Sequence, residues 1–339
     1  MKNLLKRKLN MVWNAWLNLI SYQKRHIQSL GRPFVFQIEA TNYCNLRCPM
    51  CPHDLMTRDV GYMDFELYRQ VVDQVKGYSS FLRLHNMGES LFHKEIDEFI
   101  RYARINGLKS ILSTNASVLT EKAAARILDA ELDQLLISFD GSTKETYETC
   151  RKNANYQSVL TNIERFLEMR KQRNGSKPSV TMSLIDMPAT NADIVAFKQY
   201  WEKRVDAVRI KLAGTWDGSS ERINTMVQSD INPSTRLPCA WLWFAIVILW
   251  DGRVVPCCID YDAKAVLGYL QEQSLEEIFN GVSMQALRRL HLEDRVSESS
   301  LCHGCSSLLR LNHPALPAIA TIGYLAHRLG KFAKRVTSL

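Results

Sequence analysis

The feature that most constrains this chain is a loop, Cys44-Asn-Leu-Arg-Cys48-Pro-Met-Cys51, in which three cysteines fall at C-x3-C-x2-C spacing directly after a β-rich run. A cubic four-iron cluster normally takes four thiolates, so three on one loop leave one iron with an open position. An open position is where a substrate binds, by the same logic that separates catalytic from structural metal sites. The competing reading is a zinc knuckle, although zinc more often uses paired C-x2-C units and the nearest fourth ligand is His53. The chain has nine cysteines in 339 residues. That is too sparse for a disulfide scaffold, and their grouping suits reduced metal ligands in a cytoplasmic protein.

The surrounding pattern supplies a scaffold for such a loop. Short β-rich runs near 34–40, 81–86, 109–113, 133–139, 178–185 and 206–211 alternate with helical segments near 65–77, 94–106, 120–130, 157–172 and 191–203. Six strands separated by helices predict a parallel sheet with right-handed crossovers, open or curled into a partial barrel. With 46% apolar residues, the chain has material for one large α/β unit and a smaller module.

The alternation ends near Gly214, where GTWDGSSERINTMVQSDINPS is polar and turn-rich and reads as a linker over 214–235. Beyond it, AIVILWDGRVVPC predicts a β-hairpin turning at Asp251-Gly252, and SLEEIFNG with SMQALRRLHL predicts two short helices. This module, 236–310, carries Cys239, then Gly252-x4-Cys257, then Cys302-His-Gly-Cys305. Four thiolates complete a cluster with no open iron, which suits electron transfer; a structural zinc held by the same four is the alternative.

Both cysteine groups resemble those of a known family. The C-x3-C-x2-C loop at the end of a first strand resembles the signature of the radical S-adenosylmethionine (SAM) superfamily. That resemblance implies a partial (β/α)6 barrel over 31–213. It also implies a [4Fe-4S] cluster whose open iron is chelated by SAM and whose electron cleaves SAM to methionine and a 5′-deoxyadenosyl radical. Further segments fall in the family's order. Met87-Gly88-Glu89-Ser90 resembles the family's GGEP segment, which holds the SAM amino group, with two of four positions changed. Ser113-Thr114-Asn115 stands where ribose contacts are made, and Ser138 and Arg151 where the SAM carboxylate is bound. Met50 takes the place usually given to an aromatic residue near adenine. The spacing C-x12-G-x4-C, a gap, then C-x2-C resembles the first part of the SPASM extension in its shortened, single-cluster twitch form. It implies a β-hairpin plus helix domain with an auxiliary [4Fe-4S] cluster on Cys239, Cys257, Cys302 and Cys305.

From these the expected activity is oxidation or epimerisation of a small polar molecule such as a sugar, aminosugar or cyclitol, with flavodoxin or ferredoxin as a reducing partner. Peptide modification is the second reading, and a zinc or iron-sulfur sensor or scaffold the non-enzymatic one. Cys150 and Cys258 remain after seven ligands are assigned; each is either a hydrogen-atom donor to a substrate radical or an inert buried thiol. Cys258 is also an alternative ligand to its neighbour Cys257.

Charge excludes one class of partner. Residues 1–33 carry seven Lys or Arg and no acid, and residues 311–339 carry four and no acid, so the chain between them is mildly acidic although the total is +8. No nucleic-acid-binding core is expected. Residues 1–30 read as a basic amphipathic helix with a stripe of Leu5, Leu9, Val12, Trp16 and Leu19, and 311–339 as a basic amphipathic tail with Ile322, Leu325, Leu329 and Phe332 at helical spacing. Asn14 and Asn18 break the N-terminal apolar run short of the roughly 20 residues a membrane span needs, and no cleavage site follows it. The two ends either pack on the barrel or touch an anionic membrane surface peripherally.

Overall fold

The computed structural model describes residues 2–173, 177–227 and 237–306. Residues 228–235 of the expected linker, residues 307–310 and the 311–339 tail lie outside the described residues. The elements run in chain order as α1 (Lys2–Gln23), β1 (Val35–Ile38), α2 (Phe65–Val75), β2 (Phe81–Arg83), α3 (Ile96–Ile105), β3 (Lys109–Thr114), α4 (Glu121–Asp129) and β4 (Gln134–Ser138). They continue as α5 (Lys144–Cys150), α6 (Tyr156–Gln172), β5 (Ser179–Asp186), α7 (Ile194–Trp201), β6 (Ala207–Leu212), α8 (Glu221–Asn224), α9 (Trp241–Phe244), β7 (Ala245–Ile248), β8 (Arg253–Val255), β9 (Gly268–Tyr269), α10 (Leu275–Phe279) and α11 (Val282–Leu292).

Strands β1 to β6 pair in parallel, each with its sequence neighbour. Alternation assigns their faces. Phe36, Ile38, Leu82, Leu84, Leu112 and Leu135 are fully buried toward the helices, so the residues between them, Gln37, Arg83, Ile111 and Leu136, face the other way. That inner face curls on itself. Three strands separate β2 from β6, which in a flat sheet would place them roughly 19 Å apart. Yet Ala213, directly after β6, shares one packed cluster with Leu46 and Met50 of the loop that follows β1, which lies one strand farther still. The six strands therefore form a partial (β/α)6 barrel, with a polar lumen inside and the apolar core between strands and helices.

The hairpin β7–β8 turns at Asp251-Gly252, where Gly252 has φ +87°, but it does not stand apart. Strand β7 pairs in parallel with β1 along its whole length, from Val35↔Ala245 to Ile38↔Ile248. One nine-stranded sheet, β6-β5-β4-β3-β2-β1-β7-β8-β9, thus carries both cysteine groups.

Helix α1 forms, but its buried side is not the expected stripe. Asn14, Ala15, Asn18 and Ser21 are buried, whereas Leu9 is exposed and Trp13 and Trp16, stacked at 4.8 Å, are 59% and 37% exposed. The reason is a backbone requirement. Asn14 donates to the Arg32 carbonyl and accepts from the Arg32 N–H, Asn18 donates to the same carbonyl, and Ser21 Oγ accepts from the Leu30 N–H. The irregular chain at 29–32 has no strand or helix to satisfy these groups, so polar side chains of α1 do it. Among the described residues no helix is long and apolar enough to cross a membrane.

Candidate active site

The cysteine loop leaves the end of β1 and is clamped by the loop that follows β2. Gly88 has φ +82°, and a Cβ there would lie 2.6 Å from the Thr41 carbonyl oxygen and 2.8 Å from Asn42 Cα. Only glycine permits that approach. The next residue completes the clamp, the Glu89 N–H donating to the Tyr43 carbonyl at 2.7 Å. Around the three thiols stand Leu46, Met50, Cys150 and Met187, all buried. Burial, aided by repulsion from Cys48, pushes the Cys44 thiol up to about 11 and the Cys51 thiol up to about 12. Thiolates crowded in this way need a cationic body among them, which an iron-sulfur cluster supplies.

His53 is not free to act as a fourth ligand. Its Nε2 faces the Asn42 carbonyl at 2.8 Å and therefore carries the proton, leaving Nδ1 to accept from Arg47 Nη1 at 3.3 Å. Among the described residues no three cysteine, histidine or carboxylate side chains converge closely enough to hold one metal ion.

The strand-end residues singled out from sequence gather round this loop. The buried Glu89 carboxylate accepts from the Leu91 and Asn115 N–H groups at 3.2 and 2.6 Å; burial raises its pKa and these bonds oppose the rise. A carboxylate has about four lone-pair sites, so capacity remains for an ammonium group. Asn115 Nδ2 lies 3.9 Å from Cys44 Sγ, while Ser113 and Ser138 are half-buried toward the lumen. Arg151, at the C-terminus of α5, points Nη1 at Cys48 Sγ, 3.8 Å away, and pairs with the buried Asp140. Burial alone would weaken that guanidinium's hold on its proton, but Asp140 and Cys48 more than offset it. Its Nε has no partner and remains available as a donor.

The C-terminal cysteines also converge. Cys239, Cys257, Cys302 and Cys305 share one buried cluster with Val296 and Leu301. Burial and mutual repulsion hold the Cys239 and Cys257 thiols well above the ordinary range. Cys258 points elsewhere, packing on Val247, Leu249 and Val255, with Arg83 drawing its pKa down against the effect of burial.

Comparison with known families agrees with this geometry. The radical SAM superfamily model matches residues 38–200, and the SPASM iron-sulfur cluster-binding domain model matches residues 239–306. The chain belongs to the radical SAM superfamily. With its two domains come a SAM-cleaving [4Fe-4S] cluster and an auxiliary one. The chain is 22% identical over 279 residues to the S-adenosyl-L-methionine-dependent 2-deoxy-scyllo-inosamine dehydrogenase of Niallia circulans, covering 81% of this chain and 93% of that protein. It is 20% identical over 254 residues to a tungsten-containing aldehyde ferredoxin oxidoreductase cofactor-modifying protein of Pyrococcus furiosus, covering 65% and 69%. In fold it is similar to BtrN in complex with AdoMet and 2-DOIA, with a TM-score of 0.56 at 18% identity over 83% of this chain and 96% of that one. It is also similar to Streptococcus suis SuiB bound to S-adenosylmethionine, with a TM-score of 0.64 at 12% identity over 85% and 75%.

Sequence reasoning missed the residues that lock the SPASM domain onto the radical SAM loop. Asp262 accepts from the Thr57 N–H and hydroxyl at 2.6 and 2.9 Å. Arg58 donates to the Tyr261 carbonyl and forms a two-pronged buried ion pair with Glu39, at 2.6 and 2.5 Å. Trp216, in the linker, donates its Nε1–H to the Met50 carbonyl at 3.0 Å. These partners lie up to 205 positions apart. The only sequence signals were an Arg seven residues past Cys51 and a Trp in a polar linker. Helix α5 was also missed; its cap, Thr143 accepting from the Thr146 N–H, was the available sign.

Proposed function

We propose that this radical SAM enzyme oxidises or epimerises a small polar substrate, with Cys44, Cys48 and Cys51 holding the SAM-cleaving cluster and Cys239, Cys257, Cys302 and Cys305 the auxiliary one. The cluster on the loop, when bound, supplies the electron that cleaves SAM to methionine and a 5′-deoxyadenosyl radical. The protein's own groups position the partners. Arg151 and Ser138 hold the SAM carboxylate, Gly88 and Glu89 its amino group, Ser113 and Asn115 its ribose, and Met50 its adenine. The oxidative reading is supported by the β1–β7 pairing, which joins the module that carries Cys257 and Cys258 to the same sheet as the strand from which the cysteine loop leaves. The auxiliary cluster, held by Cys239, Cys257, Cys302 and Cys305, would supply an acceptor for the one electron that an alcohol-carbon radical gives up, together with a proton, on becoming a ketone. Alternatively, the Cys258 or Cys150 thiol would return a hydrogen atom from the opposite face and invert the centre, the thiyl radical left behind being restored to the thiol by a proton and one electron from the reducing partner. Burial and Asp140 push Cys150 up to about 12, so it stays a thiol.

Anaerobically reconstituted enzyme, supplied with SAM and a reductant such as flavodoxin, tests this. Sugars and cyclitols should stimulate 5′-deoxyadenosine formation and be recovered oxidised or inverted. Stimulation by peptides alone would overturn the proposal in favour of peptide modification.

A further inference from the structure

Helix α1 is mounted with its polar side inward. Arg7, Asn14, Asn18 and Ser21 fall at i, i+7, i+11 and i+14, which is one face of a helix, and all four are engaged. Arg7 donates to the Asn106 and Ser79 carbonyls, at 3.0 Å each. Asn14 and Asn18 hold the Arg32 backbone, and Ser21 Oγ accepts from the Leu30 N–H. The opposite face, Leu9, Trp13, Trp16 and Ile20 at i, i+4, i+7 and i+11, looks outward: Leu9 and Trp13 are more than half exposed, at 52% and 59%. An amphipathic helix on a globular core ordinarily does the reverse.

Turning the apolar face inward would take these donors away from the Asn106, Ser79 and Arg32 carbonyls, so the orientation is fixed by backbone need. Three large apolar side chains on one face, two of them indoles stacked at 4.8 Å, mark a surface that takes a partner. Charge selects the partner. Residues 1–33 carry seven Lys or Arg and no acid. Lys24 is exposed, and its N–H still bonds the Ile20 carbonyl at 2.8 Å, so it keeps the helical register that sets it beside the apolar face. A second copy of the chain would bring this positive charge against itself. So would the segment 311–339, which has four Lys or Arg and no acid. An anionic surface is complementary, and indoles suit the headgroup level of a bilayer, with the ring toward the acyl chains and the N–H toward water. Since no helix among the described residues is long and apolar enough to cross a membrane, the contact is that of a helix lying in the interface.

We propose that α1 docks the enzyme on an anionic lipid surface, with Leu9, Trp13 and Trp16 entering the boundary between headgroups and acyl chains and the positive charge of residues 1–33 drawing that surface in. The polar anchoring of α1 then has a use. It holds the apolar face outward in the folded protein, so the docking surface exists before lipid is met and little ordering is needed on binding. The inference stands apart from the chemistry at the clusters, and the failure of either leaves the other intact.

The test is flotation of the reconstituted full-length enzyme with vesicles of phosphatidylcholine alone and of phosphatidylcholine mixed with phosphatidylglycerol, at low and high salt. Wild type should float with the anionic vesicles only, and less as salt rises. Leu9→Ser/Trp13→Ser, at two exposed positions, should bind about tenfold or more weakly. Lys24→Gln should bind about fivefold more weakly, the effect of one basic residue near an anionic surface. Iron content, thermal midpoint and 5′-deoxyadenosine formation, read on the same samples, should be unchanged in both variants, which separates a lost contact from a lost fold. No flotation by wild type overturns the proposal, and so does equal flotation with the neutral vesicles. Equal flotation by Leu9→Ser/Trp13→Ser overturns it too, by moving the contact elsewhere in the chain. Light scattering without lipid covers the remaining occupant: a dimer abolished by Leu9→Ser/Trp13→Ser would assign the face to a second copy and overturn the lipid proposal.

Discussion

The indole Nε1–H of Trp216 donates to the carbonyl oxygen of Met50 at 3.0 Å, so a residue just past β6 holds the cysteine loop just past β1. Trp216 itself sits at φ +56° and meets Tyr261 edge-on at 6.3 Å between ring centres. One side chain thereby joins the loop, the linker and the SPASM domain. Trp216→Phe keeps the ring and deletes the donor, leaving a backbone acceptor unpaired at a cost of about 1–3 kcal/mol. SAM-dependent 5′-deoxyadenosine formation should fall severalfold with iron content unchanged. Unaltered kinetics would show that the bond does not position the loop.

Gly88→Ala should damage the same loop from the other side. Its methyl group meets backbone rather than a movable side chain, and the positive φ adds strain, so about 1–3 kcal/mol is expected. The readout is a lower thermal midpoint together with poorer cluster incorporation. A fully loaded Gly88→Ala protein with wild-type melting would refute the clamp.

The buried Glu39–Arg58 pair makes a prediction about asymmetry. Glu39→Gln strands a guanidinium that is 3% exposed, which should cost about 3–5 kcal/mol, whereas replacing both residues by apolar ones of similar size should cost less. Urea unfolding of the single and double variants measures it, and equal losses would contradict the argument.

The barrel was legible because its signals are local and periodic: all six strands and five of the helices fall where alternation and 3.6-residue spacing place them. The two cysteine groups were legible by spacing, and the structure gathers each of them into one cluster. What was not legible was set by partners distant in sequence. The apolar stripe of α1 reads as its buried face, yet Asn14 and Asn18 are buried instead because the chain at Arg32 needs hydrogen-bond partners, and nothing in residues 1–23 announces that need. The lumen cations Arg83 and Lys211 look in sequence like ordinary exposed strand positions. Only the curling of the sheet turns both strands' inner faces toward one lumen.

That reversed helix is itself testable. Asn18→Leu improves the apolar pattern on paper, but it deprives the Arg32 carbonyl and the Ser29 hydroxyl of a partner and should destabilise by about 1–3 kcal/mol. Trp13→Ser, on the exposed side, should change stability by no more than about 0.5 kcal/mol. The opposite ranking in thermal melts would mean that α1 packs through its tryptophans.

Cys257 and Cys258 are adjacent in sequence but face different surroundings, and substitution should separate their roles. Cys257 lies with Cys239, Cys302 and Cys305, so Cys257→Ser should lose about half of the iron, that of the auxiliary cluster, and leave the SAM-induced spectral change at the first cluster intact. Cys258 packs on Val247, Leu249 and Val255 and interacts with Arg83, so Cys258→Ser should retain full iron. If the substrate centre is inverted, the same variant should stop incorporating deuterium from solvent into product while 5′-deoxyadenosine continues to form, because the thiol is then the missing hydrogen source. If the substrate is oxidised, turnover should continue unchanged. Loss of auxiliary iron in Cys258→Ser with retention in Cys257→Ser would exchange the two residues and move the cluster toward the lumen.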